Sequence, residues 1–116
     1  MANTHKFEFI KSKMEANPPL PFEAKYNAGT PGGNGLRRFW PHILGWSPDP
    51  TDPSEMIEMV LCYQYHPQPS AGWRCLKVSY LESLGDIPGD APEPDDDMTP
   101  LQVQRQNCVH VVLIHR

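Results

Sequence analysis

Six polar or aromatic residues, Arg38, His42, Gln64, Trp73, Arg74 and Asn107, stand inside runs that otherwise alternate like β-strands. Burying such a group without a partner costs a few kcal/mol, so each must be matched by another polar group or must face a cavity. Five of them, Arg38, His42, Gln64, Trp73 and Arg74, form the candidate ligand-binding set. Arginine offers a planar fork to anionic groups, and Trp73 offers a face for stacking. The expected ligand is an anionic small molecule. The plainer alternative is that these residues satisfy one another, or that the arginines point to solvent.

Other chemistries find less support. A cysteine nucleophile needs a neighbouring base, and Cys62, Cys75 and Cys108 have His42, His66, His110 and His115 to choose from. No elbow or oxyanion loop accompanies any such pairing, so no catalytic residue and no enzymatic activity are expected. The three cysteines are odd in number, lie in apolar runs and form no C-x-x-C pair, which predicts buried reduced thiols and a cytoplasmic setting. His110 and His115 are spaced to point to opposite faces of a strand. Asp95-Asp96-Asp97 lacks the alternating oxygen ligands of a calcium loop. Neither a metal nor a cofactor is expected. The stretch Gly29 to Gly35 has no Gly-Lys-Ser/Thr ending and precedes a strand, so it reads as a hairpin loop rather than a phosphate cradle.

The elements that position the candidate set follow from composition and period. The 116 residues are the length of one domain, and 14 Pro with 8 Gly imply short elements separated by turns. The net charge of −4 is uneven: Met1 to Gly45 holds six Lys/Arg against three Glu, and Trp46 to Pro100 two against eleven Asp/Glu. A uniformly basic nucleic-acid surface is thereby excluded, although a local basic face near Lys25, Arg37 and Arg38 is not. No run approaches the length of a membrane span, and no membrane association is expected.

Phe7, Ile10 and Met14 predict an amphipathic helix over Thr4 to Ala16, with Asn3 or Thr4 as its cap and Asn17-Pro18-Pro19 as its stop. Period-two alternation predicts strands over Phe22 to Tyr26, Arg37 to Trp46, Met56 to Tyr65, Trp73 to Leu81 and Cys108 to His115. Pro41 places the second of these at a sheet edge or on a bulge. The third and fourth are expected to pair, and the last, apolar on both faces, to be central. Asn27 to Gly35, Ser47 to Ser54 and His66 to Gly72 read as loops. Gly85 to Pro100 reads as a mobile acidic excursion. The fold class is therefore mainly β: a strongly bent, five-stranded antiparallel barrel over about residues 22–115 with an N-terminal helix.

The ordered segments Tyr26-Asn27-Ala28-Gly29, Arg37-Arg38-Phe39-Trp40-Pro41-His42-Ile43-Leu44-Gly45, Leu61-Cys62-Tyr63-Gln64-Tyr65, Gly72-Trp73-Arg74-Cys75-Leu76-Lys77-Val78 and Arg105-Gln106-Asn107-Cys108-Val109 resemble the WYL-domain superfamily. The likeness is to its short stand-alone bacterial relatives and spans most of the chain. The Trp-Tyr-Leu signature itself is not retained near Glu58-Met59-Val60. The resemblance implies a small Sm-like barrel and a regulatory domain that binds nucleic acid or a nucleotide-like ligand. The single helix cannot supply the helix-turn-helix that accompanies such domains in larger regulators. A protein partner, phage- or defence-linked, single-stranded nucleic acid and a second copy of the chain are the alternatives left open as partners.

Overall fold

The computed structural model describes residues 4–16, 19–26, 35–66, 72–87 and 108–115. Helix α1 spans His5–Glu15 and starts where expected: the Thr4 hydroxyl accepts from the Phe7 N–H at 3.2 Å, the usual capping bond. The same hydroxyl donates to Glu58, whose other carboxylate oxygen accepts from the Thr4 N–H at 3.0 Å. One glutamate thus fixes the helix start on the sheet. Phe7, Ile10 and Met14, three and four residues apart, are the buried stripe.

Among the described residues six strands make one antiparallel sheet: β1 Phe22–Tyr26, β2 Leu36–Asp49, β3 Asp52–His66, β4 Gly72–Lys77, β5 Leu81–Asp86 and β6 Val111–His115. The hydrogen-bonded order is β4-β3-β2-β1-β5, and β6 also pairs with β2. One edge of β2 follows β3 along its length. The other is shared, with β1 along Leu36 to Phe39 and β6 along Ile43 to Trp46. Pro41 falls between the two partners, and the β2/β3 register slips between Pro41 and Ile43, so the expected bulge is present in the middle of the sheet rather than at its rim. Among the described residues no pairing joins β4 to β5, and the sheet is open.

Both faces of the sheet are covered. On one, α1 packs over Phe22, Ala24, Phe39, Leu44, Val60, Cys62, Leu76, Val78 and Leu81. Phe7 stacks on Trp46 at 5.2 Å between ring centroids, and Phe22 meets Phe39 at 5.4 Å. On the other face Trp40, Leu61, Tyr63, Trp73 and Val109 make a second, smaller cluster. The middle of β3, Val60 to Gln64, is therefore buried on both sides.

Several expectations are corrected. Ser47 to Ser54 is not a loop: β2 and β3 continue to a tight turn at Pro50-Thr51. Asp49 accepts from the Thr51 N–H at 2.9 Å and Asp52 from the Ser54 N–H at 3.2 Å, so local side-chain bonds let a Pro-rich stretch stay extended. Those bonds, chiefly from the Thr51 backbone and side chain, hold the Asp49 carboxyl below its ordinary pKa. Trp73 to Leu81 is not one strand. A 3-10 turn at Val78–Tyr80 breaks it, and β5 begins at Leu81. Gly85 and Asp86, placed in the acidic excursion, belong to β5, where Ser83 takes a left-handed φ of 55° at a register slip against β1. The rest of that excursion, 88–100, lies outside the described residues, as do 27–34 of the glycine loop, 67–71 and Asn107. The last strand is not central: β6 pairs with β2 alone among the described residues, leaving Val111, Val112 and Leu113 42–49% exposed.

The helix stripe yields a direct test. Ile10→Ala removes a fully buried side chain and is expected to lower the unfolding free energy by about 2–5 kcal/mol in urea titration, whereas Lys11→Ala on the outer face changes it by less than about 0.5 kcal/mol.

Candidate functional site

Pairing register sorts the five candidate residues. Trp40, Tyr63 and Trp73 stand directly opposite one another across β2, β3 and β4, all in the cluster away from the helix. Alternation puts Gln64 and Arg74, their chain neighbours, on the helix side. The sheet thus brings Arg38, His42 and Trp73 to one face and turns Gln64 and Arg74 to the other, so the five do not line a single pocket.

On the helix side Gln64 is 1% exposed, and Arg37 Nη1 donates to its Oε1 at 3.4 Å. Arg74 folds back to donate to the Trp73 carbonyl at 2.9 Å. It can do so because residue 72 is glycine, at φ +151°: a Cβ there would lie 2.9 Å from Arg74 Nη1. These groups are engaged with the backbone and one another, the plainer of the two sequence alternatives.

The opposite face is aromatic. His42 meets Trp73 edge-on at 5.4 Å, Tyr63 meets Trp73 edge-on at 5.5 Å, and Trp40 tilts against Tyr65 at 6.3 Å. Arg38 stands at the rim, 3.6 Å from Glu23 across the β1/β2 pair. That pair is part-exposed and contributes little to stability. The Tyr65 phenol is pushed above its ordinary pKa mainly by burial, with Glu23 adding to the shift and Arg38 opposing it. Trp40 and Trp73 are 8% and 7% exposed, yet neither indole N–H finds an acceptor among the described residues. A buried donor left unsatisfied costs about 1–3 kcal/mol. The two lie in one row of the same face, and an acceptor-bearing ligand would satisfy them.

Segment 108–110 packs on this face. Val109 is buried within the aromatic cluster, and Cys108 packs beside it. Ser47, 6% exposed, anchors the segment: its hydroxyl donates to the Cys108 carbonyl and accepts from the His110 N–H at 3.2 Å, with His110 Nδ1 at 2.9 Å. Gly45 permits the approach, since a Cβ there would collide with the Val111 carbonyl and the Val109 side chain. The segment is also tied covalently. Cys75 and Cys108 form a disulfide with Cα atoms 6.1 Å apart, which overturns the expectation that all three cysteines are reduced. A separation of 33 residues offers no pairing cue in sequence; the register that puts Cys75 on the aromatic face creates it. Closing a loop of that size stabilises the fold by about 3–4 kcal/mol. Cys62 alone fits the expectation: it is fully buried on the helix side, and burial pushes its thiol pKa up.

Trp40, Tyr63, Tyr65 and Ser47 escaped the sequence reading because they look like ordinary strand residues. The period-two spacing of Arg38, Trp40 and His42 was the available signal. Among the described residues no group of three or more His, Cys, Asp or Glu is placed to hold a metal ion, and no helix is long and apolar enough to cross a membrane.

Thiol accessibility tests the cysteine assignment. Ellman's reagent is expected to find no reactive thiol in the folded oxidised protein, one per chain after unfolding in denaturant, and three after unfolding with reduction. Comparison with protein-family models, curated proteins and solved structures yields no match that establishes a relationship.

Proposed function

We propose that the chain is a non-enzymatic ligand-binding or regulatory module whose ligand, a nucleotide-like or anionic small molecule, is received on the aromatic face of the sheet. The observation that carries this reading is the pair of buried indole donors on Trp40 and Trp73 without acceptors among the described residues. A purine or pyrimidine base presents the acceptors these N–H groups require and a flat surface for rings such as Tyr63 and His42. Arg38 at the rim suits an anionic substituent, which would exchange with Glu23 for the guanidinium.

The resemblance to WYL domains supports the same class of ligand. The sharing of one β2 edge between β1 and β6 is compatible with the strong bending that a Sm-like barrel requires. We take the setting to be cytoplasmic, in which the Cys75–Cys108 bond would be formed and broken rather than permanent. A second reading, the protein-interaction module, is favoured by the exposed Val111, Val112 and Leu113 on β6.

Thermal shift of the wild type with adenosine monophosphate, short oligonucleotides and inorganic phosphate is the test, since a ligand selective for the native state raises its melting temperature. For the ligand that shifts it, Trp73→Phe is expected to weaken binding about 2- to 10-fold, the range for one hydrogen bond, while Arg74→Ala on the far face leaves binding unchanged. No shift at millimolar ligand, with a protein that co-purifies and is lost on Leu113→Lys, would favour the interaction module.

A further inference from the structure

We propose that the Cys75–Cys108 disulfide keeps the chain monomeric, and that on its reduction β6 exchanges between two copies, each β6 pairing with the Ile43 to Trp46 edge of the other. The position of the bond along the chain carries this inference. Cys75 lies in β4, and Cys108 stands just ahead of β6, which begins at Val111. While the bond is intact only Val109 and His110 separate the tether from the strand, so β6 cannot leave its own β2 for another chain. With the bond open the slack becomes the whole connection after β5, residues 87–110. Fully extended, that length of chain spans up to about 80 Å, well beyond the 41 Å long axis of the molecule. What β6 would vacate is defined by its register, Ile43↔His115, Leu44↔Ile114, Gly45↔Val112 and Trp46↔Val111. The strand that fits this edge residue for residue is β6 of an identical chain, and exchange of one terminal element is a low-cost route to a dimer.

Exchange forfeits none of the described contacts. Besides the strand pairing, segment 108–115 is held by the bonds to Ser47, by Val109 in the aromatic cluster and by Ile114 against the helix-side core. Each joins the segment to the body of the chain, so a second copy's segment restores it. The edge also selects this segment over others. A Cβ at Gly45 would lie 1.9 Å from the Val111 carbonyl oxygen and 2.8 Å from the Val109 side chain, so the glycine is shaped to this close approach. Cys75 and Cys108 are partly exposed, within reach of a reductant, whereas Cys62 is buried in the helix-side core and stays out of the reaction. A dithiol reductant attacks one protein sulfur through a thiolate to form a mixed disulfide, and its second thiol then closes its own disulfide. The Cys75–Cys108 bond breaks, and two electrons and two protons end on the two protein thiols. Oxidised glutathione reverses this by way of a mixed disulfide and leaves as two reduced molecules. In an exchanged pair the bond so formed joins Cys75 of one copy to Cys108 of the other.

The experiment measures the mass of the full chain in solution by light scattering over a range of protein concentration, oxidised and then treated with dithiothreitol. Expected are a monomer when oxidised and, on reduction, a doubled mass whose share rises with concentration. The double variant Cys75→Ser/Cys108→Ser should dimerise without any reductant. Isotopically heavy and light preparations, reduced, mixed and reoxidised with oxidised glutathione, should yield a covalent dimer on a non-reducing gel, with heavy Cys75 peptides joined to light Cys108 peptides. A reduced wild type and a double variant that both stay monomeric at the highest concentration overturn the proposal. So does a dimer in which reoxidation joins heavy only to heavy and light only to light, since the two copies then meet elsewhere and keep their own β6. Loss of cooperative melting on reduction overturns it as well, because the bond is then a staple without which the chain does not fold.

Discussion

A lone sheet with apolar side chains on both faces has to be covered twice, and the rest of this molecule answers to that requirement. The middle of β3 makes the demand plain, since Val60 and Cys62 point one way, Leu61 and Tyr63 the other, and all four are buried. An 11-residue helix covers the first face. It is held there by its apolar stripe, by Glu58 at its start, by Lys6 reaching the Ser79 carbonyl, and by Lys13 paired with Asp86. On the second face the described residues include no helix, and a short segment fixed at Ser47 and by a disulfide packs there. The two covers differ in kind: one is a packed stripe with many contacts, the other a clasp.

That difference explains where the polar irregularities fall. On the helix side the buried polar group, Gln64, is bonded to Arg37, in keeping with the cost of leaving such a group alone in a well-packed core. On the clasped side two indole donors go without acceptors among the described residues, and the phenol of Tyr65 resists ionisation through burial. Unsatisfied donors of this sort are uncommon in rigid cores and recur at sites whose full complement arrives from outside.

Much of the framework was legible in the sequence, because period and capping act locally. Thr4, Phe7, Ile10 and Met14 define the helix on their own, and the alternation of Met56 to Tyr65 with its partner beginning at Trp73 defines the β3/β4 pair. What escaped depended on long-range geometry. The hairpin at Pro50-Thr51 was hidden by prolines that two aspartates keep extended, and β5 was hidden by Ser83 to Asp86, whose composition reads as a turn. The candidate site was half legible. Residue type found Arg38, His42 and Trp73, but only the register across three strands shows that Gln64 and Arg74 turn away from them and that Cys75 meets Cys108.

The shared edge of β2 has a bearing on how the chain acquires its shape during synthesis. The β2/β3 and β3/β4 hairpins join neighbours in sequence and can zip as soon as they are made, and β1 waits beside β2 from the start. The edge from Ile43 to Trp46 is different, for its partner β6 is made far later, after every other described strand. Until then the nascent protein carries an apolar stretch of unpaired backbone amides and carbonyls, the kind of surface on which chains stick to one another. Pro41 blunts one end of that stretch by withholding a donor. The remainder makes the growing polypeptide dependent on prompt completion, or on a chaperone that shields Ile43 to Trp46 in the interval.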